Sequence, residues 1–175
     1  ARHLKDWSGT LQADAFAGAK LLLLQLENNL DAIVAALSLG AQHSLLRVLN
    51  PAPVHPQLDA ALLERCDLIT PNETEFALLL ERIVGLHVDA AELAAGEDGH
   101  LHELARKLDV ETVVITLGAY GCFVSHGAKD RRGDSEAFYR VAPERVNAVD
   151  STGAGDAFSG RPVAAPLRCG GRPCR

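Results

Sequence analysis

The chain has 175 residues, which is enough for one sizeable hydrophobic core and too few for two comfortable domains. Hydrophobic residues make up 47% and charged residues 23%, an ordinary balance for a soluble globular protein. The formal net charge of −6 gives no electrostatic reason to bind nucleic acid or an anionic membrane, so neither is an expected partner.

Targeting and metal-binding signals are absent from the sequence pattern. The apolar run from Leu21 to Leu24 is too short to span a bilayer, and the N-terminus lacks the charged-then-apolar pattern of a signal peptide. The four cysteines include no Cys-x-x-Cys pair, so free thiols in a reducing compartment are expected. The seven histidines form no His-Glu-x-x-His arrangement and are expected at the surface. These patterns predict a cytoplasmic protein.

The first half of the chain alternates between short apolar runs and segments with helical periodicity. Each apolar run ends in polar or proline-rich sequence, which is typical of a strand that leads into a loop. Strands are predicted at 19–26, 45–49 and 67–70, and amphipathic helices are predicted to follow them from about Leu30, Leu58 and Phe76.

The second half continues this alternation and then departs from it. A helix over 101–108 precedes the β-branched strand Thr112 to Thr116, whereas strand-like segments at 122–125 and 137–141 flank a charged loop and predict an antiparallel hairpin. The acidic, Gly-broken stretch from His87 to His100 is expected to be a surface excursion. Repeated strand, loop and helix units predict a parallel sheet covered by helices.

Polar residues follow the end of every predicted parallel strand. In open α/β sheets, ligands bind beyond the carboxyl ends of the strands, so these polar residues are expected to converge on one cleft. They are Glu27, Asn50, Asn72 with Glu75, Thr116 with Gly118, and the segment 150–156.

The segment from Asp150 to Asp156 carries most of the chemical information. Its small residues form a turn that can expose backbone N–H groups at a helix start, where a phosphate or a developing oxyanion is favoured. Asp156 at the mouth of such a site suits proton abstraction from an attacking hydroxyl better than phosphate binding. The segment lacks the third glycine of a dinucleotide fingerprint and the Gly-Lys-Ser/Thr of a Walker A loop. It therefore predicts phosphoryl transfer.

This segment, together with 72–75 and 116–121, resembles the ribokinase (PfkB) family of ATP-dependent sugar kinases. Two further segments, 23–27 and 50–53, resemble the ribose-phosphorylating members of that family. The resemblance extends from about Ala19 to Gly160. It implies an α/β fold: a three-layer αβα sandwich with a mostly parallel sheet, which is incomplete in this chain. It also implies the ATP-dependent phosphorylation of a sugar primary hydroxyl, above all the conversion of D-ribose to D-ribose 5-phosphate.

The resemblance also implies roles for individual residues in the segment 150–156. Asp156 would bind the sugar and act as the general base, and the N–H groups of Gly153, Ala154 and Gly155 would form an anion hole. Asp150 and Thr152 match the family's K⁺ site.

Residues elsewhere in the chain match the family's nucleotide, metal and sugar positions. Asn72 and Glu75 correspond to the motif that organises Mg²⁺ and its waters. A helix cap is an alternative that can hold at the same time: Asn72 or Thr74 could cap, and Glu75 could favour the positive helix start. Glu27 corresponds to a sugar-binding carboxylate, and intact family members are expected to be homodimers. ATP-binding positions are Asn72, Thr116, Gly118, Gly121 and Gly155.

Both ends of the chain depart from the family pattern. Residues 1–18 are expected to be a partial leading helix or linker, 19–160 the central and C-terminal part of the α/β domain, and 161–175 an unstructured tail. The chain is therefore expected to be a fragment that lacks N-terminal and C-terminal parts. Two alternatives to a ribose kinase stay open: a non-catalytic remnant, and a sibling kinase acting on fructose or a nucleoside.

Overall fold

Six β-strands form one sheet in the part of the chain that the computed structural model describes, residues 16, 18–27, 29–143 and 158. The strands lie side by side in chain order; the first four are parallel, and each of the last two is antiparallel to the strand before it. The α/β fold and the predicted hairpin are thus confirmed. The strands are β1 (Leu21–Gln25), β2 (Leu46–Asn50), β3 (Leu68–Ile69), β4 (Thr112–Thr116), β5 (Cys122–His126) and β6 (Phe138–Val141).

Five α-helices connect the parallel strands, and side-chain caps fix where most of them begin. The helices are α1 (Leu30–Gln42), α2 (Ala60–Leu63), α3 (Glu73–Leu79), α4 (Ala90–Ala95) and α5 (Asp98–Arg106). The first four follow an Asn or Asp whose side-chain oxygen accepts a backbone N–H from the first turn: Asn29, Asp59, Asn72 and Asp89. A π-helical turn, Leu80–Val84, continues α3 and ends at Gly85.

The sheet separates the core into two parts because successive side chains of a strand point to opposite faces. On one face, Leu49, Ile69 and Ile115 pack with buried residues of all five helices. On the other face, a smaller cluster that includes Val48 and Val114 packs against Phe158. Because crossovers between parallel strands are right-handed as a rule, strands that lie side by side in chain order should have their connecting helices, α1 to α5, on the same face, which explains this asymmetry. The described helices therefore supply one of the two helical layers in the predicted sandwich.

The predicted surface excursion at 87–100 was wrong in part: most of its side chains are exposed or half-buried, but the segment is largely helical. It contains α4 and the start of α5, and Leu93 and Ala94 of α4 are buried in the main core. The Asp89 cap and the alanines of α4 favour helix, whereas Gly96 at its end accounts for the broken appearance of the sequence.

The expectation of surface histidines was also wrong for His126, which is 1% exposed. Its Nδ1 lies 3.2 Å from Thr112 Oγ1 and its Nε2 lies 2.9 Å from Asp134 Oδ2. Antiparallel pairing places His126 opposite Thr112, and the hairpin loop brings Asp134 to the ring. A polar residue can be buried at this position because both ring nitrogens have partners.

None of the helices in the described part of the chain has the length and hydropathy that crossing a bilayer requires. Cys66 and Cys122 are free thiols, as expected. The predicted leading segment and tail lie almost wholly outside the described residues, so the domain boundaries stay predictions.

Candidate active site

The carboxyl ends of the parallel strands align along one edge of the sheet. Gln25 at the end of β1 pairs with Asn50 at the end of β2, and an isolated parallel bridge joins Asn72 to Thr116. The Thr116 N–H donates to the carbonyl of Pro71 over 2.9 Å, which holds the start of α3 against the end of β4. The described polar residues therefore lie along one edge of the sheet, and their convergence on a single cleft stays a prediction.

The predicted metal and nucleotide residues Asn72 and Glu75 form a reciprocal capping box at the start of α3. Asn72 Oδ1 accepts the Glu75 N–H at 2.8 Å, and Glu75 Oε2 accepts the Asn72 N–H at 2.9 Å. These bonds fix both side chains at the sheet edge. They also satisfy two backbone N–H groups that have no acceptor within the helix. The helix-cap alternative is thus correct, and it leaves Glu75 Oε1 available for a second role.

The electrostatic setting of Glu75 favours a nearby cation. Burial raises the pKa of its carboxyl group; the Asn72 N–H opposes this shift, and the neighbouring Glu73 carboxylate adds to it. A half-buried carboxylate beside a second carboxylate is stabilised by positive charge. The described residues contain no group of three or more His, Cys, Asp or Glu side chains suited to hold a metal. The Glu75 carboxylate itself offers the oxygen-donor chemistry that Mg²⁺ prefers.

The segment after β4 forms a tight turn beside this carboxylate pair. A 3-10 turn, Gly118–Tyr120, follows Leu117, and Gly118 and Gly121 have φ of 52° and 83°. A β-carbon added to Gly118 would lie 4.0 Å from Glu73 Oε1, so the acidic start of α3 faces the turn. Thr116 thus lies beside Asn72 and Gly118 lies near Glu73, whereas Gly121 closes the turn against residues 141–143.

Two further predicted polar residues lie on the β1 and β2 side of the edge. Asn50 is 5% exposed, and its Oδ1 accepts the Ala52 N–H at 3.1 Å, which shapes the loop after β2. Glu27 follows the buried Leu26 and is exposed. The Glu27 carboxylate is thus accessible at the end of β1, where the resemblance implies sugar binding.

The remaining predicted residues lie outside the described part of the chain: Asp150, Thr152, Gly153, Ala154, Gly155 and Asp156. The chain approaches them from the site edge. Val141, the last residue of β6, pairs with Cys122, which in turn pairs with Thr116 at the end of β4. Their assigned roles stay predictions.

Sequence reasoning missed two parts of this site. Glu73 lies between Glu75 and the Gly118–Tyr120 turn, and its presence within the same acidic motif was the available signal. Helix α4 packs against both α3 and the Gly118–Tyr120 turn. The cap at Asp89 was the signal for this helix, but its position beside the turn depends on tertiary contacts.

Comparison with known proteins gives a consistent result. The family described as pfkB family carbohydrate kinase matches residues 2–168. A ribokinase of Haemophilus influenzae is 36% identical over 165 residues, which cover 94% of this chain and 48% of that protein. A deoxyribokinase of Salmonella typhi is 34% identical over 151 residues, covering 85% of this chain and 43% of that protein.

The fold is also similar to that of a solved ribokinase structure. The crystal structure of a ribokinase from Cryptococcus neoformans var. grubii in complex with ADP aligns with a TM-score of 0.64 and 26% identity, over 85% of this chain and 48% of that one. The chain thus spans about half the length of the relatives that it matches.

Proposed function

This chain belongs to the pfkB family of carbohydrate kinases, and on that premise we propose that it contributes the catalytic half of an ATP-dependent sugar kinase. The observation that best supports this function is the alignment of Asn72, Glu75 and Thr116 along the carboxyl edge of the sheet, where α/β proteins bind ligands. The proposed reaction is transfer of the γ-phosphoryl group of ATP to a primary hydroxyl of the sugar.

The chemical step is assigned to the segment 150–156. Asp156 accepts the proton of the sugar hydroxyl as its oxygen attacks the γ-phosphorus and the bond to the bridging oxygen of ADP breaks. The N–H groups of Gly153, Ala154 and Gly155 stabilise the negative charge on the transferred group. An aspartate with an ordinary pKa is a competent acceptor, because positioning supplies most of the catalysis in a loose phosphoryl-transfer transition state.

The nucleotide is assigned to the sheet edge at the start of α3 and the Gly118–Tyr120 turn. Thr116 is bridged to Asn72 at this edge, Glu75 completes the capping box there, and Gly118 and Gly121 shape the turn. Mg²⁺ would be held through water by Glu75, and it supplies charge neutralisation for the phosphates. K⁺ is assigned to Asp150 and Thr152, where it would fix the turn and offset carboxylate charge.

D-Ribose is the proposed acceptor. Asn50 and Glu27 stand where the ribose-phosphorylating members of the family carry similar segments, and Glu27 can accept hydrogen bonds from a pair of sugar hydroxyls. A site built around such bonds discriminates strongly against analogues that lack a hydroxyl. Deoxyribose is the first competitor to test, because one similar protein is named as a deoxyribokinase.

The test is ADP formation by the purified chain with ATP, Mg²⁺ and K⁺, measured in parallel with D-ribose, 2-deoxy-D-ribose, D-fructose and adenosine. Mass spectrometry identifies the phosphorylated product. We expect turnover with ribose that exceeds turnover with the other acceptors and requires Mg²⁺.

Two other outcomes would contradict parts of the proposal. Preference for deoxyribose, fructose or adenosine would overturn the acceptor assignment and leave the kinase assignment standing. A folded chain that binds ATP but phosphorylates none of the four acceptors would support a non-catalytic nucleotide-binding remnant.

A further inference from the structure

We infer that Arg140 is a positioning residue for the nucleotide turn, Gly118–Tyr120, and thereby sets the affinity of the site for ATP. This inference rests on the proposed function for its nucleotide. Its structural basis is the Arg140 guanidinium on β6, which hydrogen-bonds to both sides of the α4–α5 corner. This corner, residues 94–98, is where α4 ends and α5 begins.

All three nitrogens of the Arg140 guanidinium have a partner in this corner. Nε donates to Asp98 Oδ1 over 2.9 Å, Nη1 donates to the carbonyl of Ala94 over 3.1 Å, and Nη2 donates to the carbonyl of Gly96 over 3.1 Å. Ala94 and Gly96 lie at the C-terminal end of α4, where carbonyl groups lack helical partners, and Asp98 is the first residue of α5. The guanidinium therefore fastens the end of one helix to the start of the next.

Geometry makes arginine specific for this role. The side chains of Arg140 and Asp98 are 23% and 40% exposed, so the cluster is partly screened from water. A planar guanidinium presents donors in several fixed directions, whereas the ammonium of a lysine is one compact charge. Lysine could reach one of the three acceptors well, but it could not bridge all of them.

Helix α4 transmits this constraint to the nucleotide turn. It packs against Gly118–Tyr120 and also against α3, which carries Asn72 and Glu75. The residue after Arg140 acts on the same turn directly. A β-carbon on Gly121 would lie 2.0 Å from the Val141 carbonyl oxygen, so the backbone at the end of the turn is in close contact with β6.

β6 thus supports the nucleotide turn from two sides. Val141 contacts its end at Gly121, and Arg140 bonds the C-terminal end of α4, which packs against the turn. Loss of the guanidinium would free α4 to move away from the turn while leaving the β1 and β2 edge unaltered. ATP affinity should therefore change, and sugar affinity should not.

The experiment compares Arg140→Gln and Arg140→Lys with a control on the same hairpin. Arg131→Gln removes the same charge, and Arg131 donates to the Ser135 carbonyl within the hairpin loop instead of to α4. Each variant of the full chain is measured for the KM of ATP, the KM of ribose, and direct binding of ADP. Backbone amide hydrogen exchange is followed at residues 90–95 and 118–121.

We expect Arg140→Gln to weaken the binding of ATP and ADP about five- to tenfold, the size of effect that one typical net hydrogen bond produces. The KM of ribose should stay within about twofold of the wild-type value, well below the tenfold change that 1.4 kcal/mol would produce. Exchange at 118–121 should become faster. Arg140→Lys should fall between the wild type and Arg140→Gln, and Arg131→Gln should match the wild type.

Equal losses of ATP and sugar affinity, or unchanged exchange at 118–121 despite faster exchange in α4, would overturn the inference. If Arg140→Gln does not fold, Asp98→Asn, which weakens one of the three bonds, carries the same test with a smaller expected effect. If the wild type binds no nucleotide, the proposed function fails, and the exchange measurements alone decide whether Arg140 positions the turn.

Discussion

Replacing Gly121 with alanine should disrupt the nucleotide side of the site more than any other single glycine substitution in the described chain. Gly121 has φ of 83° and ψ of −133°, a backbone conformation in which side chains other than hydrogen are strained. An added β-carbon would also lie 2.0 Å from the Val141 carbonyl oxygen and 2.9 Å from the backbone nitrogen of Pro143. No side-chain rotation relieves these contacts, because both involve backbone atoms.

The expected cost has two parts. The unfavourable backbone conformation contributes about 1–3 kcal/mol. The displacement of β6 needed to admit the methyl group contributes about 1–3 kcal/mol more, the usual cost of overpacking. A total of about 2–6 kcal/mol is a large part of the stability of a small domain, which is typically about 5–15 kcal/mol.

Gly85 offers a matched control. It has φ of 73°, and a β-carbon there would meet nothing within 4 Å. Gly85→Ala therefore reports the backbone conformation alone, at about 1–2 kcal/mol. Urea unfolding followed by circular dichroism gives both values. If Gly121→Ala destabilised the protein no more than Gly85→Ala does, the close packing of the nucleotide turn on β6 would be refuted.

Glu75→Gln should leave the protein at least as stable as the wild type at neutral pH, because glutamine can complete the capping box without a buried charge. Since the pKa of Glu75 is raised on folding, the wild type loses stability relative to this variant as pH rises from the ordinary glutamate range. The variant should also need a higher Mg²⁺ concentration for half-saturation, because it lacks the carboxylate charge. Asn72→Ala and Asp59→Ala each remove a helix cap and should each cost about 1 kcal/mol, but only Asn72→Ala should raise the KM of ATP. Asp67→Asn should cost about 1–3 kcal/mol at pH 7, because Asp67 accepts three hydrogen bonds from Arg47. Burial alone would raise the pKa of Asp67, but the bonds from Arg47 hold this pKa below its usual value. The stability that these bonds add is therefore lost as pH falls through the acid range. Acid unfolding curves of Asp67→Asn should show a weaker pH dependence than those of the wild type.

The strands were predictable because local sequence and tertiary environment agree. The β-branched run Thr112 to Thr116 was predicted as a strand and is β4 with the same bounds. Asn72 and Glu75 were predicted to contact ligand or to cap a helix, and their spacing alone specifies the capping box that the structure contains. Such signals lie within a few residues of each other, so a sequence pattern reports them directly.

The features that sequence reasoning missed depend on contacts between distant segments. His126 is buried because Thr112 and Asp134 meet its two ring nitrogens, and neither residue is adjacent to it in sequence. Arg140 is an unremarkable strand residue until α4 and α5 bring three acceptors to it. The position of α4 beside the nucleotide turn is likewise a property of the assembled fold.

The most direct test of the account is the turnover of Asp156→Asn with ATP and ribose, measured beside its affinity for ADP. A general base contributes about 10²–10⁴-fold, so kcat should fall by about that factor while ADP binding stays close to that of the wild type. Near-normal turnover of this variant would contradict the assignment of Asp156 as the base and, with it, the proposed phosphoryl-transfer mechanism.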